Sequence, residues 1–364
     1  MNNKKLAILG VIAAVMVLWA IVQSKVSNTS RIAPDSPSYL IQGLNPSDIE
    51  SIIISNAENS VTLKRTARGF VVVNKDNYPA DTGEINTLLT KCLEIETTQF
   101  ITDNPANHED LEVTEEKAKT VIKFLKSDSS LLTGIIVGKD KELGQGTYVR
   151  LASSDKVYMT SNIPYFGDIA MNYIDQKLFS LNSDEIASVT VSSINGTYIL
   201  KTKEDSQDIE LVNIPVGKTF KSTEGRTVFT ALTNVSFNDV KKQSGDLNFD
   251  RHYVCRMKDS TEYSIGIATK DGKTFITCGA EFTDERPSRI EKDESEEELK
   301  IKEAKLLADD NAREFTAKHQ GWIYEIPEYK AEHLTKELAD LIEDETPIVE
   351  VGDPNAIPSG EISE

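Results

Sequence analysis

Three stretches of this sequence have residue types and spacing that could do chemistry. Val137-Gly-Lys-Asp-Lys-Glu-Leu-Gly-Gln-Gly146 is glycine-rich and has the outline of a phosphate cradle. Phosphate binding needs Gly-Lys-Ser/Thr opening a helix, so that backbone N–H groups and the lysine converge on one anion. Here Thr147-Tyr-Val-Arg150 follows, a strand, so the glycines read as a turn. Ser153-x-x-Lys156 has the spacing of a Ser/Lys nucleophile pair. That chemistry needs both side chains on one helical turn, together with Ser-Asp-Asn and Lys-Thr-Gly partners that the chain lacks. His108-Glu-Asp110 could touch a metal from an acidic loop, but His252, His319 and His333 are scattered without zinc spacing. Gly-x-Ser-x-Gly and Asp-x-Asp-x-Asp-Gly are also missing. The sequence therefore names no catalytic, cofactor-binding or metal-binding residue, and it reads as non-enzymatic.

Composition narrows the classes further. A chain of 364 residues is long enough for two domains with separate cores, and its charged fraction of 27% is that of a globular protein. The formal charge of −19 excludes a phosphate-backbone binder, which needs a basic face. An acidic surface serves solubility. Cys92, Cys255 and Cys278 make no disulfide framework and read as buried thiols. A meander over 253–278 would hold Cys255 and Cys278 two strands apart, roughly 9–10 Å, too far to bridge.

The elements that would position any site come in order. Lys4 and Lys5 precede Leu6–Ser24, which is free of charge and long enough to span a bilayer. Trp19 is placed as an interface anchor, the apolar core continues past the length of a cleaved signal's, and no lipobox cysteine follows. Residues 1–25 are thus expected to be a retained transmembrane signal anchor with the amino end in the cytoplasm. That makes the protein single-pass in the inner membrane, its bulk periplasmic. Residues 26–47 read as a tether.

The body of the chain states one pattern twice. Ile49–Ser55, Val61–Arg65, Phe70–Asn74 and the periodic segment Ile85–Ile95 return as Ile186–Ser192, Tyr198–Thr202, Ile209–Asn213 and Thr227–Phe237, offset by about 137 residues. Asp81 reads as the N-cap of the first helix. Further strands are expected over 118–125, 131–137, 148–151 and 157–160, matched by 253–257, 262–268, 273–278 and 322–326. Helical segments are expected to close each copy at Asp168–Phe179 and Tyr329–Ile342. The fold class is therefore α+β: two tandem copies, 48–183 and 184–342, of a mainly antiparallel sheet with packed helices, behind an N-terminal transmembrane helix.

The second copy carries a charged insertion, 284–319, helical by propensity with Glu296/Lys300 and Glu298/Lys302 at i,i+4. Its apolar residues, Leu299, Leu306, Leu307 and Phe315, are sparse. It reads as a solvated projecting helix or, more sharply, as an arm whose acidic side (Glu294, Glu296, Glu297, Glu298) docks a basic partner. Residues 343–364 read as a disordered acidic tail.

Asn77-Tyr-Pro-Ala-Asp81 before an amphipathic helix, Ile135-Ile-Val-Gly-Lys139 followed by Tyr148-Val-Arg150, Val157-Tyr158, and Tyr173-Ile-Asp-Gln-Lys-Leu-Phe179 together resemble the bacterial family catalogued as domain of unknown function 4340. The resemblance covers most of 48–191, and the second copy is similar to a diverged continuation. It implies a membrane-anchored exported protein associated with ABC-type transport components of the gliding-motility class, with permease and ATPase subunits as partners, no nucleic acid and no cofactor. The function expected is a non-enzymatic extracytoplasmic accessory subunit of an ABC-type export or envelope complex. Two other readings stand beside it: an envelope module gripping polysaccharide or peptidoglycan in a groove between the copies, and an envelope hydrolase, for which no nucleophile–base pair is present.

Overall fold

The computed structural model describes residues 38–142, 144–203, 206, 208–284 and 295–345. The chain divides at Asp175/Gln176 into two units, each α+β and built on a large antiparallel sheet. The expected anchor at Leu6–Ser24 and residues 346–364 of the expected acidic tail lie outside the described residues. The start of that tail is not disordered: Glu343 and Asp344 lie in a strand paired with Thr219 and Lys218. Among those residues no helix is long and apolar enough to cross a membrane.

In the first unit the strands are β1 (Ser38–Tyr39), β2 (Ser51–Ser55), β3 (Ser60–Thr66), β4 (Gly69–Val72), β5 (Tyr78–Pro79) and β6 (Glu96–Thr97). They continue as β7 (Gln99–Thr102), β8 (Thr120–Leu125), β9 (Leu131–Asp140), β10 (Thr147–Leu151) and β11 (Val157–Thr160). The main sheet runs β5-β4-β3-β2-β8-β9-β10-β11-β7. Alternation in β2 and β3 sends Ile52, Ile54, Val61 and Leu63 into the core, all at most 1% exposed. Helix α1 (Thr82–Leu93) covers that face with Ile85, Leu88, Leu89 and Cys92. Asp81 caps it as expected, its carboxylate accepting from the Gly83 and Glu84 amides at 2.6 and 3.1 Å.

The second unit holds β12 (Lys177–Phe179), β13 (Ile186–Ser193), β14 (Gly196–Thr202), β15 (Ile209–Leu211), β16 (Lys218–Phe220) and β17 (Val235–Ser236). After them come β18 (Asp239–Lys242), β19 (Arg251–Met257), β20 (Thr261–Lys270), β21 (Lys273–Phe282), β22 (Trp322–Ile326) and β23 (Ile342–Asp344). Its sheet runs β15-β14-β13-β19-β20-β21-β22-β18, the order of the first sheet without its short edge strand β5. Register carries the match to single residues. Ile54 pairs with Val61 and Ile122, and Val191, 137 positions on, pairs with Tyr198 and Tyr253. Three helices accompany this sheet: α2 (Ser222–Phe229), α3 (Glu296–His319) and α4 (Glu328–Thr335).

Five further expectations need correction. The end of the presumed tether is folded: β1 pairs with β6, and Leu40 and Ile41 are buried. Asp168–Phe179 is not one helix but a 3-10 turn (Ala170–Tyr173) followed by β12. Its periodicity is overridden because Lys177 and Phe179 pair with β17, and the Tyr173 carbonyl accepts from the Asp81 amide. The helix read at Thr227–Phe237 starts earlier and ends at Phe229. Gly225 lets it form, since a Cβ there would lie 2.1 Å from the Phe220 ring. Tyr329–Ile342 breaks at Lys336, whose carbonyl accepts from the Tyr198 hydroxyl, while Arg251 binds Glu337 beside it.

The fifth correction concerns the insertion. Helix α3 is not a freely solvated projection. Ala308, Ala312 and His319 are buried, and Phe315 packs between Phe179 and Tyr263 at ring separations of 5.2 and 5.3 Å. The Thr316 hydroxyl donates to the Ala280 carbonyl and accepts from the Ala280 amide, each at 2.7 Å. It thereby satisfies β21 where β22, paired only to Thr274–Ile276, has left it. Lys305 closes on Asp284 at 2.8 Å.

Candidate functional site

None of the residues singled out for chemistry forms a constellation. Ser153 and Lys156 sit exposed in the β10–β11 turn, where the Lys156 amide donates to the Ser154 hydroxyl. Gly138 belongs to β9, and beyond it Asp140 accepts from Lys119 and Thr147, which fixes the turn. His108 is buried, its Nε2 2.9 Å from the Asp155 carbonyl. His319 is buried with its Nδ1 2.7 Å from the Tyr324 hydroxyl. Among the described residues no group of three His, Cys, Asp or Glu is arranged to hold a metal ion. Burial pushes the Cys92, Cys255 and Cys278 thiols up to about 12, so none is a nucleophile near neutral pH.

The matching register exposes a different kind of site. In the first unit Val121, Ile136 and Arg150 lie side by side across β8, β9 and β10 on the face away from α1. That face is closed by a lid, residues 103–119. Val113 and Ala118 of the lid are buried against Val121, Ile136 and Val157. Gly138 admits the lid backbone, since a Cβ there would come within 2.3 Å of the Leu111 carbonyl. Arg150 locks it, donating from Nε to the Val113 carbonyl at 2.7 Å and from Nη1 to Leu151 and Ser154. Burial lowers the pKa of this guanidinium, and the Asp155 and Glu115 carboxylates oppose that shift.

In the second unit the same row reads His252, Gly266 and Thr277. The connection over it, residues 243–250, is less than half as long as the lid. His252 and Ser264 are exposed, and a trench of about 550 Å³ runs over β19, β20 and β21. Phe249 forms one wall, two of its atoms 3.5 Å from where a Gly266 Cβ would stand. On the other side of the 243–250 connection lies a second groove of about 720 Å³. Its walls carry Asp246, Asp250, Glu328 and Glu332 against Arg251 and Lys270. Arg251 is engaged there by the Thr335 carbonyl and by Glu337, which also accepts from Ser193.

The remaining unmatched surface is the amino-terminal half of α3. Ser295 and Glu298 form a capping box, with the Ser295 amide donating to Glu298 at 3.0 Å and holding that carboxyl below its usual range. Beyond the cap, Ile301, Ala304 and Leu307 stand exposed at successive spacings of three, with Leu306 exposed beside them. Ile301 is 58% and Leu307 60% exposed.

The family described as Domain of unknown function (DUF4340) matches residues 71–252, half of the chain. The chain belongs to the DUF4340 family. No curated protein and no solved structure matches it. The DUF4340 match begins in β4 and includes the whole lid of the first unit. It ends inside β19, so β20, β21 and α3 lie beyond the matched DUF4340 residues. The open trench and the exposed helix are built mainly from that unmatched part. Single-residue reading missed the trench, because its members are unremarkable alone. The available signal was the second copy written under the first in strand register, where Val121 becomes His252 and Ile136 becomes Gly266.

Proposed function

We propose that the chain is a non-enzymatic, extracytoplasmic accessory subunit of an ABC-type export or envelope complex. In this reading residues 6–24 anchor it in the inner membrane, its bulk is periplasmic, and its second copy meets the permease, through which it belongs to a complex with the cytoplasmic ATPase. The observation that carries the proposal is helix α3. Half of it is fixed to the sheet by Phe315 and Thr316. The other half presents Ile301, Ala304 and Leu307 beside the acidic Glu296, Glu297 and Glu298. A rigid helix with an uncovered apolar row suits docking into a partner's groove, and its carboxylates favour a basic rim. The transporter setting is supported by the resemblance noted in the sequence. The chain has no Walker motif, so ATP hydrolysis belongs to the partner ATPase.

The test is purification of the tagged full-length chain in mild detergent, alongside Ile301→Ser/Leu307→Ser. Permease and ATPase subunits should accompany the wild type and be depleted about tenfold in the variant, with recovery falling as salt rises. Absence of transporter subunits from the wild type, or equal recovery by both proteins, would contradict the proposal. A second reading, an envelope module for polysaccharide or peptidoglycan, is favoured by the uncovered trench over β19–β21.

A further inference from the structure

The trench on the second sheet has a composition that its position in the fold does not require. A sheet face that has merely lost its lid needs polar residues with good strand propensity, such as threonine or lysine. Here the floor holds two glycines, Gly266 and Gly279, on adjacent strands. Gly266 is accounted for by Thr277, whose hydroxyl would stand 2.8 Å from a Cβ there, with Phe249 in ordinary contact at 3.5 Å. Gly279 is not: a Cβ built there meets nothing closer than the Ser264 hydroxyl at 3.6 Å. Glycine inside a strand weakens it, and it recurs where a ligand approaches the backbone closely.

The lining is also free of formal charge. Gln243, Phe249, His252, Ser264 and Thr277 surround the glycines, with no Asp, Glu, Lys or Arg among the lining residues. The chain as a whole is 27% charged, and the neighbouring groove has six charged residues in its walls. An anion would find no lysine or arginine here, and a cation no carboxylate. What the trench offers is one aromatic wall, a glycine floor that lets a flat ring settle, and hydroxyl, amide and imidazole groups around the rim. Its volume of about 550 Å³ falls within the ~300–1,000 Å³ usual for small-ligand sites.

We infer that this trench binds an uncharged oligosaccharide, one sugar ring lying over Gly279 with its C–H face on Phe249 and its hydroxyls on Gln243, His252, Ser264 and Thr277. The inference rests on the second reading above and names its site and ligand class. It excludes uronates, phosphorylated sugars and the charged peptide stems of peptidoglycan as occupants, since each would bring an unpaired charge into the trench.

The test uses the full-length protein in detergent micelles and titration calorimetry against four probes. These are oligomers of neutral hexoses, of N-acetylhexosamines, of hexuronates and of glucosamine. At least one of the two uncharged classes should bind. Phe249→Ala should weaken it at least tenfold, Gly279→Val should abolish it, and Glu332→Gln in the neighbouring groove should leave it unchanged. Ser264→Ala, an exposed position, weakens binding severalfold and serves if Gly279→Val fails to fold by circular dichroism. Binding that survives Phe249→Ala and Ser264→Ala, or that Glu332→Gln alone removes, overturns the site while leaving the second reading in place. Failure of both uncharged classes, or binding of the charged oligomers alone, overturns the ligand class; failure of all four removes the second reading with it.

Discussion

The two units are the same sheet closed in different ways. In the first, residues 103–119 fold back over Val121, Ile136 and Val157, and the β10–β11 connection is a tight turn. In the second, the lid is cut short, the row beneath it turns to His252, Gly266 and Thr277, and the β21–β22 connection grows into α3. Sheet interiors barely differ: Ile54, Ile122 and Ile135 correspond to Val191, Tyr253 and Ile265, all at most 1% exposed. Strand order and inward face are therefore what both copies keep, while the outer face and one connection diverge. The first unit covers this outer face, and the second leaves it open.

The largest effect should come from charging the lid. Val113 is fully buried among Val121, Ile136 and Val157, and the nearby Arg150 is already committed to three carbonyls. Val113→Asp therefore buries a carboxylate in an apolar cluster and should cost about 4 kcal/mol of first-unit stability. Urea unfolding followed by amide exchange in β8 and β9 reads this out. A loss below about 1 kcal/mol would mean the lid is not packed.

Exchanging equivalent residues sharpens the contrast. Val121→His should destabilise the first unit by about 2–3 kcal/mol, whereas His252→Val, at an exposed position, should stay within ~0.5 kcal/mol. Equal effects in thermal unfolding would erase the distinction between covered and open faces. Within α3, Phe315→Ala should cost about 2 kcal/mol because the ring is only partly buried, and Leu307→Ala within ~0.5 kcal/mol.

The smallest effect concerns the thiols. Cys278 lies under the open trench, yet burial holds it, like Cys92 and Cys255, at about 12. At pH 8 a thiol reagent should leave all three unlabelled in the folded protein and label all three in denaturant. Because the folded values are raised, the unfolded thiols ionise first. Their contribution to stability is complete below about 9 and is lost as pH rises towards 12. Rapid labelling of Cys278 alone would show that the second sheet opens where the first does not.

How much of this was legible in the sequence depended on whether the signal was local. Val157–Thr160 and the Asp81 cap were read to the residue, because β-branched alternation and an Asp before an amphipathic run need only neighbours. Asp168–Phe179 failed because β17, far along the chain, recruits Lys177 and Phe179. The docking of α3 was hidden because it uses Ala308, Ala312 and Thr316, small residues that raise no hydrophobic stripe. The trench was hidden for another reason: it is assembled from three strands and a connection, and only the paired registers bring them together.

Under the proposed function, the second unit is the copy that meets partners. The most direct measurement is photo-crosslinking in intact cells from a benzophenone amino acid placed at Leu307 on α3, with Leu131 at the start of β9 in the first unit as an exposed control. Crosslinks are expected from Leu307 to a permease subunit, with none of comparable yield from Leu131. Crosslinks from Leu131 alone, or none to a permease subunit from Leu307, would contradict the proposed function.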